Sequence, residues 1–160
     1  MPRSWVLVIL LLLFAACNSN LIFSEFQANS GGTWSQDDVK EFIFTQEDTI
    51  SRYNLFINIR NDNQYPFSNL FIITDLNFPD GTVVRDTLEY EMALPGGEWL
   101  GKGYGSLKEN KLWYKENIVF PLQGVYTLKV AHAMRQNGTV EGVSELEGIP
   151  DIGFQIETID

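Results

Sequence analysis

The chain has 160 residues, 44% of them hydrophobic and 13% aromatic, which suits one domain with its own core. A formal net charge of −10 argues against nucleic acid or anionic headgroups as direct partners, because both demand clusters of Lys and Arg. One cysteine, Cys17, and one histidine, His132, leave no internal disulfide, no Cys-rich zinc site and no His-pair metal motif.

Arg3 is the only charge before Cys17, and an apolar run of twelve residues extends from Trp5 to Ala16. A membrane-crossing helix needs roughly twenty, so the run has the length of a signal-peptide core. Ala15 and Ala16 directly before Cys17 resemble the bacterial lipobox, with Phe14 where Leu is usual. Residues 1–16 are therefore expected to be a lipoprotein-type signal peptide. Cys17 is expected to carry the lipid (palmitate) and to become the mature N-terminus. Each buried methylene of such a chain adds about 0.8 kcal/mol, and stable anchoring takes more than one chain. Asn18, rather than the Asp that retains lipoproteins at the inner membrane, points to the outer membrane.

Residues 17–38 read as a lipid-anchored segment and linker, and 39–160 as the folded domain. Within the former, Leu21–Ala28 is a candidate first strand. Asn29–Asp38, "NSGGTWSQDD", is rich in loop formers. From there the pattern is β. In "RYNLFINIR", Tyr53, Leu55, Ile57 and Ile59 face one way, and Asn54, Phe56, Asn58 and Arg60 face the other. "NLFIITDLNF" is a continuous apolar run, as expected of a central strand. "PDGT" at 79–82 is a turn that joins it to "VVRDTLEYEM" as a hairpin. "KLWYKENIVF" and "GVYTLKVAHAMR" are two further strands connected through "PLQG". "NGT" at 137–139 is a turn, Ser144–Gly148 is the best candidate for a short helical turn, and "IGFQIE" is the last strand. The expected fold is all-β, an antiparallel sandwich of immunoglobulin-like or jelly-roll-like type. "GVY" suggests a tyrosine corner with Tyr126 anchoring the start of its strand through the hydroxyl.

Catalytic and ligand signals are weak. "LGKGYGS" has glycines at 101, 103 and 105 but no βαβ context, so it reads as a glycine-rich connection with close backbone approach rather than a phosphate loop. His132 shares a strand face with Tyr126, Leu128 and Val130 and reads as a core or rim residue. No carboxylate pair stands out for glycoside hydrolysis, and "NDNQYPFSN" lacks the spacing and glycine of an EF-hand loop. No metal, cofactor or small-molecule substrate is expected. Trp113 and Tyr114 are neighbours, so on a strand one of them must point away from the core. Asp48-Thr49-Ile50 and Asp86-Thr87-Leu88 resemble the O-glycosylation sequon of Bacteroidetes, which makes Thr49 and Thr87 candidate acceptors.

The segments "RDTLEYEMALPGGEWLGKGYGSLKENKLWYKENIVFP" and "YTLKVAHAMRQNGTVEGVSELEGIPDIGFQIE" resemble the GldH family of gliding-motility lipoproteins of Bacteroidetes. The resemblance spans nearly the whole chain after Cys17. It implies a non-enzymatic envelope protein that supports gliding and the associated type IX secretion machinery. It also implies other gliding lipoproteins, GldJ among them, as partners to be bound or stabilised at the periplasmic face of the outer membrane. It implies no catalytic residue. Within it, the aromatic, glycine-rich stretch from Trp99 to Asn117 is the candidate partner site, with Trp99, Lys102, Tyr104, Trp113 and Tyr114 as its side chains. Two other readings remain open from the residues alone. One is a carbohydrate-binding module stacking sugars on Trp34, Trp99 or Trp113; the other is a hydrolase built around His132.

Overall fold

The computed structural model describes residues 20–159; the expected signal peptide and Cys17 lie outside them. Ten strands follow one another: β1 (Leu21–Ala28), β2 (Thr33–Ser35), β3 (Lys40–Gln46), β4 (Tyr53–Asn61), β5 (Asn69–Asn77), β6 (Val83–Glu91), β7 (Lys108–Ile118), β8 (Gly124–His132), β9 (Glu145–Glu147) and β10 (Asp151–Thr158). A single 3-10 turn at Ser30–Gly32 is the only helical element among the described residues. Two four-stranded antiparallel sheets, β1-β10-β4-β7 and β3-β8-β5-β6, and a two-stranded clasp β2-β9 make up the fold.

The pairing is nested. β5 pairs with β6, β4 with β7, β3 with β8 and β1 with β10, so each pair encloses the one before it. Successive pairs alternate between the two sheets. That is the arrangement of a jelly roll, the second of the two sandwich types expected. The tyrosine corner nevertheless holds locally. Tyr126 is fully buried, its Oη donates to Leu122 O at 2.8 Å, and the Leu122 amide donates back to Oη at 3.2 Å.

Alternation drives the core. Tyr53, Leu55, Ile57 and Ile59 of β4 meet Phe42 and Phe44 of β3, Leu128 and Val130 of β8, and Ile152, Phe154 and Ile156 of β10 in one cluster. β5 lies between β8 and β6, as its apolar run predicts. The 79–82 turn is held by Phe78 N–H to Thr82 O at 2.8 Å and Thr82 N–H to Asp80 Oδ1 at 2.9 Å.

The candidate first strand Leu21–Ala28 is present as β1 and takes part in the first sheet. β1 pairs with β10 along its length, and Phe23 packs its ring 5.8 Å from Phe154 and 5.7 Å from Phe44. The loop expected at 29–38 contains β2, and the helical turn expected at 144–148 is the strand β9 that pairs with it. The reason is burial. Trp34 and Leu146 sit opposite each other in that pair, both with no exposed surface, and a three-residue bridge satisfies the backbone around them.

The two sheets are tied along one side by side chains. Tyr90 Oη donates to Trp113 O at 2.6 Å, and Lys115 Nζ lies 2.8 Å from Asp86 Oδ2. Burial, aided by the nearby Asp86 charge, pushes the Tyr90 hydroxyl up to about 12, so it stays a donor at neutral pH.

Candidate functional site

The outward face of the first sheet carries aromatic rings where a solvated face would carry polar groups. Register places Phe26, Gly153, Asn58 and Lys111 in one row across β1, β10, β4 and β7. The next row is Ser24, Gln155, Phe56 and Trp113. Phe26 lies over Gly153 so closely that a Cβ there would come within 2.7 Å of the Phe26 ring. The glycine is what lets the ring lie flat on the sheet.

Cations interleave with the rings. The Arg60 guanidinium stands 4.2 Å from the Phe26 centroid and also meets Glu109 at 2.9 Å and Asp151 at 3.6 Å. Lys111 Nζ stands 4.1 Å from the Phe56 centroid and 2.6 Å from Glu157 Oε1. Trp113 packs on Phe56 at 4.5 Å between centroids, tilted 50°. Phe56 is covered by this packing, whereas Trp113 remains 52% exposed. Amide groups run beside the rings: Asn58 Nδ2 donates to Gln155 Oε1 at 3.2 Å, and Gln155 Nε2 donates to Glu157 Oε1 at 2.7 Å. The arrangement is a rigid platform, because each cation is held over a ring by a carboxylate on another strand of the same sheet.

The candidate residues read from sequence divide into four places. Trp113 is on this platform. Tyr114, its neighbour, faces inward and is 7% exposed, so burial removes it from any docking surface. Lys102 and Tyr104 sit in the loop that precedes β7. There the Lys102 and Glu109 backbones exchange hydrogen bonds at 2.9 and 2.8 Å, and Tyr104 is fully exposed. Gly103 in that loop has φ +151°, and a Cβ on it would meet Leu107 O at 2.5 Å, in keeping with the expected close backbone approach. Trp99 is half-buried in a separate cluster, with its Nε1 donating to Asn63 Oδ1 at 3.1 Å and its ring 6.1 Å from Tyr65.

Phe26, Phe56, Arg60 and Lys111 were not among the candidate residues. A Phe on the polar face of an amphipathic strand was the signal for Phe56; nothing local reveals that Phe26 and Arg60 meet.

Other candidates resolve as packing. Trp34 has no exposed surface and meets His132 edge-on at 5.2 Å, so it cannot stack on a sugar. His132 is 2% exposed, and neither ring nitrogen finds a partner of good geometry. Burial pushes its pKa below 6.5, and it offers no nitrogen to a substrate. Thr87 is exposed on edge strand β6. Thr49 is half-buried in a turn held by Asp48, whose Oδ1 accepts the Ile50 amide at 2.8 Å and the Ser51 amide at 3.0 Å. The Ser51 hydroxyl, which donates to Asp48 Oδ2, together with these two amides holds the Asp48 carboxyl down to about 2. Among the described residues no group of three or more His, Cys, Asp or Glu is placed to hold a metal ion.

The profile of the family described as GldH lipoprotein matches residues 21–156. The chain is 47% identical to the gliding motility lipoprotein GldH homolog of Christiangramia forsetii, over 98% of this chain and 95% of that one. It is 41% identical to the gliding motility lipoprotein GldH of Flavobacterium johnsoniae, over 99% and 98% respectively. Among solved structures, dimeric latent PorU from Porphyromonas gingivalis aligns with 90% of this chain and 14% of that one, at 13% identity and a TM-score of 0.38, a distance that carries no inference. On the two full-length matches and the profile, the chain belongs to the GldH lipoprotein family.

Proposed function

We propose that this protein is a non-enzymatic, lipid-anchored component of the cell envelope that supports gliding motility by docking a partner lipoprotein. Family membership supports the process and the anchor. Cys17 is the residue that bears the lipid, and the periplasmic face of the outer membrane is the compartment. The associated type IX secretion machinery is the assembly served, with GldJ the first partner to test. One observation carries the docking surface: Trp113 is half-exposed on a face already made rigid by Phe56, Lys111 and Glu157. Rigid, exposed aromatics lose little entropy on binding and dominate interface energetics. Lys102 and Tyr104, in the loop at the leading end of β7, are further candidate contacts, and Trp99, in its separate cluster with Tyr65, is another. Thr49 and Thr87 stay as candidate glycan acceptors away from it.

The test is cross-linking in cells of the native organism, with wild-type protein and with the variants Trp113→Ala and Tyr104→Ala. Wild type is expected to bring down another gliding lipoprotein, and Trp113→Ala to lose it and reduce colony spreading. Capture and spreading unchanged in both variants, with both proteins stable, would show that the surface is wrong. A glycan array signal that vanishes in Trp113→Ala would favour the carbohydrate-binding reading instead.

A further inference from the structure

The end of the sandwich from which the N-terminus leaves is apolar on its outside. Ile22 on β1, Ile43 on β3 and Val125 on β8 line one groove of about 300 Å³ along the edge between the two sheets. They are 54%, 59% and 54% exposed. Ile50, 86% exposed, projects from the turn between β3 and β4 at the same end. That turn is tied there by Ile159 N–H to Arg52 O at 3.0 Å and Gln123 Nε2 to Glu47 O at 2.8 Å. Alternation leaves such outward positions to polar residues. Further along the same face of the second sheet it does so: Glu41, Lys129, Asp75 and Arg85 form a row of alternating charge, with contacts of 2.9 Å and 2.6 Å. On this face of the second sheet the exposed Ile43 and Val125 thus give way to a charged row; exposed apolar side chains elsewhere, such as Leu94, Leu107 and Val140, lie outside this groove.

Two further facts say what covers it. Cys17 precedes Leu21, the first residue of β1, by only four residues. Such a stretch spans at most about 14 Å. An acylated Cys17 therefore keeps this end of the domain against the bilayer. Moreover, in the segments that form this end (20–22, 43–53, 77–83, 117–125 and 157–159) Arg52 is the single Lys or Arg. Its guanidinium is taken up by Asn117 O and Oδ1 at 3.2 and 3.3 Å. The contact is therefore apolar rather than ionic, which suits lipid of low net charge.

We infer that this end of the sandwich seats directly on the lipid surface, with Ile22, Ile43, Ile50 and Val125 at the boundary between headgroups and hydrocarbon. The seat holds the domain upright and points the Tyr104 loop, at the opposite end of β7, away from the membrane. This inference rests on the acylation of Cys17 proposed above.

Depth-dependent quenching tests it. Full-length protein carrying Ile22→Cys, Ile43→Cys or, as a control at the far end, Val140→Cys is labelled with a fluorescent maleimide. It is then reconstituted into phosphatidylcholine–phosphatidylethanolamine vesicles containing nitroxide lipid. Labels at 22 and 43 are expected to be quenched severalfold more than the label at 140, equally at low and high salt. Equal quenching at 43 and 140 overturns the seat. So does loss of quenching together with cross-linking of Ile43→Cys to itself, which would put a second copy in the groove. Wild-type protein reports separately on the anchor, because an acylated Cys17 has no free thiol to label. Label on Cys17 removes the anchor, and quenching at 43 in that chain supports the seat on apolar contact alone.

Discussion

Tyr126 fixes the entry of β8 with one oxygen that both donates to and accepts from Leu122. Replacing it by Phe keeps the ring contacts with Phe44, Phe78 and Phe120 and removes only the hydroxyl. Tyr126→Phe is expected to cost about 1 kcal/mol in urea unfolding, because Leu122 O and N–H lose their partner in a half-buried corner. His132 makes a different kind of prediction. Burial lowers its folded pKa below 6.5, so the unfolded chain binds its proton more readily. Stability is then full at neutral pH and falls as pH drops below the unfolded value of about 6.5. His132→Gln removes the titrating group, and urea midpoints measured between about pH 7 and pH 5 should fall less in that variant than in wild type.

At the scale of the element, β7 works as a two-sided strand. Its inward side gives Tyr114 to the core and its outward side gives Trp113 to the platform. Tyr114→Ala is expected to destabilise by about 3 kcal/mol, as a large buried ring truncated to a cavity. Trp113→Ala should cost about 1 kcal/mol or less, since only its contact with Phe56 is lost. Denaturant midpoints of the two variants, side by side, read the difference. If Trp113→Ala is the more destabilising, the platform is a structural element and not a docking surface. This division was legible from the sequence, because neighbours on a strand point apart. Which of the two aromatics faced out was not, because both are large and amphipathic and only the packing of β4 and β6 against β7 decides it.

At the scale of the molecule, the nested pairing puts the first and last strands side by side. Leu21 pairs with Glu157, and β1 closes the first sheet. A protein beginning at Asn20 is expected to fold with unchanged stability. One beginning at Asn29 loses β1, together with the Phe23 contacts to Phe44 and Phe154. It is expected to lose more than about 3 kcal/mol in urea unfolding, from the apolar surface laid open on β10 and β3. Equal stability of the two would return residues 21–28 to the status of a linker. Such pairing across the whole chain is also slow to form, since closing long loops precedes any reward from contact.

The sequence by itself determined the strands with strong alternation: β4, the β5–β6 hairpin, β7, β8 and β10. Period-2 patterning and turn chemistry are local properties that a few residues carry. It also determined the family, through long compositionally unusual segments, and the burial of His132 through its strand face. The tertiary structure alone decided the jelly roll over the immunoglobulin order, because strand pairing is set by which edges meet and not by any strand's own residues. It alone decided that 33–35 and 145–147 are strands, since Trp34 and Leu146 bury each other across a gap of more than a hundred residues. The same holds for the aromatic platform. Phe26, Phe56 and Trp113 come from three separate strands, and only the register of the first sheet brings their rings, Arg60 and Lys111 onto one face.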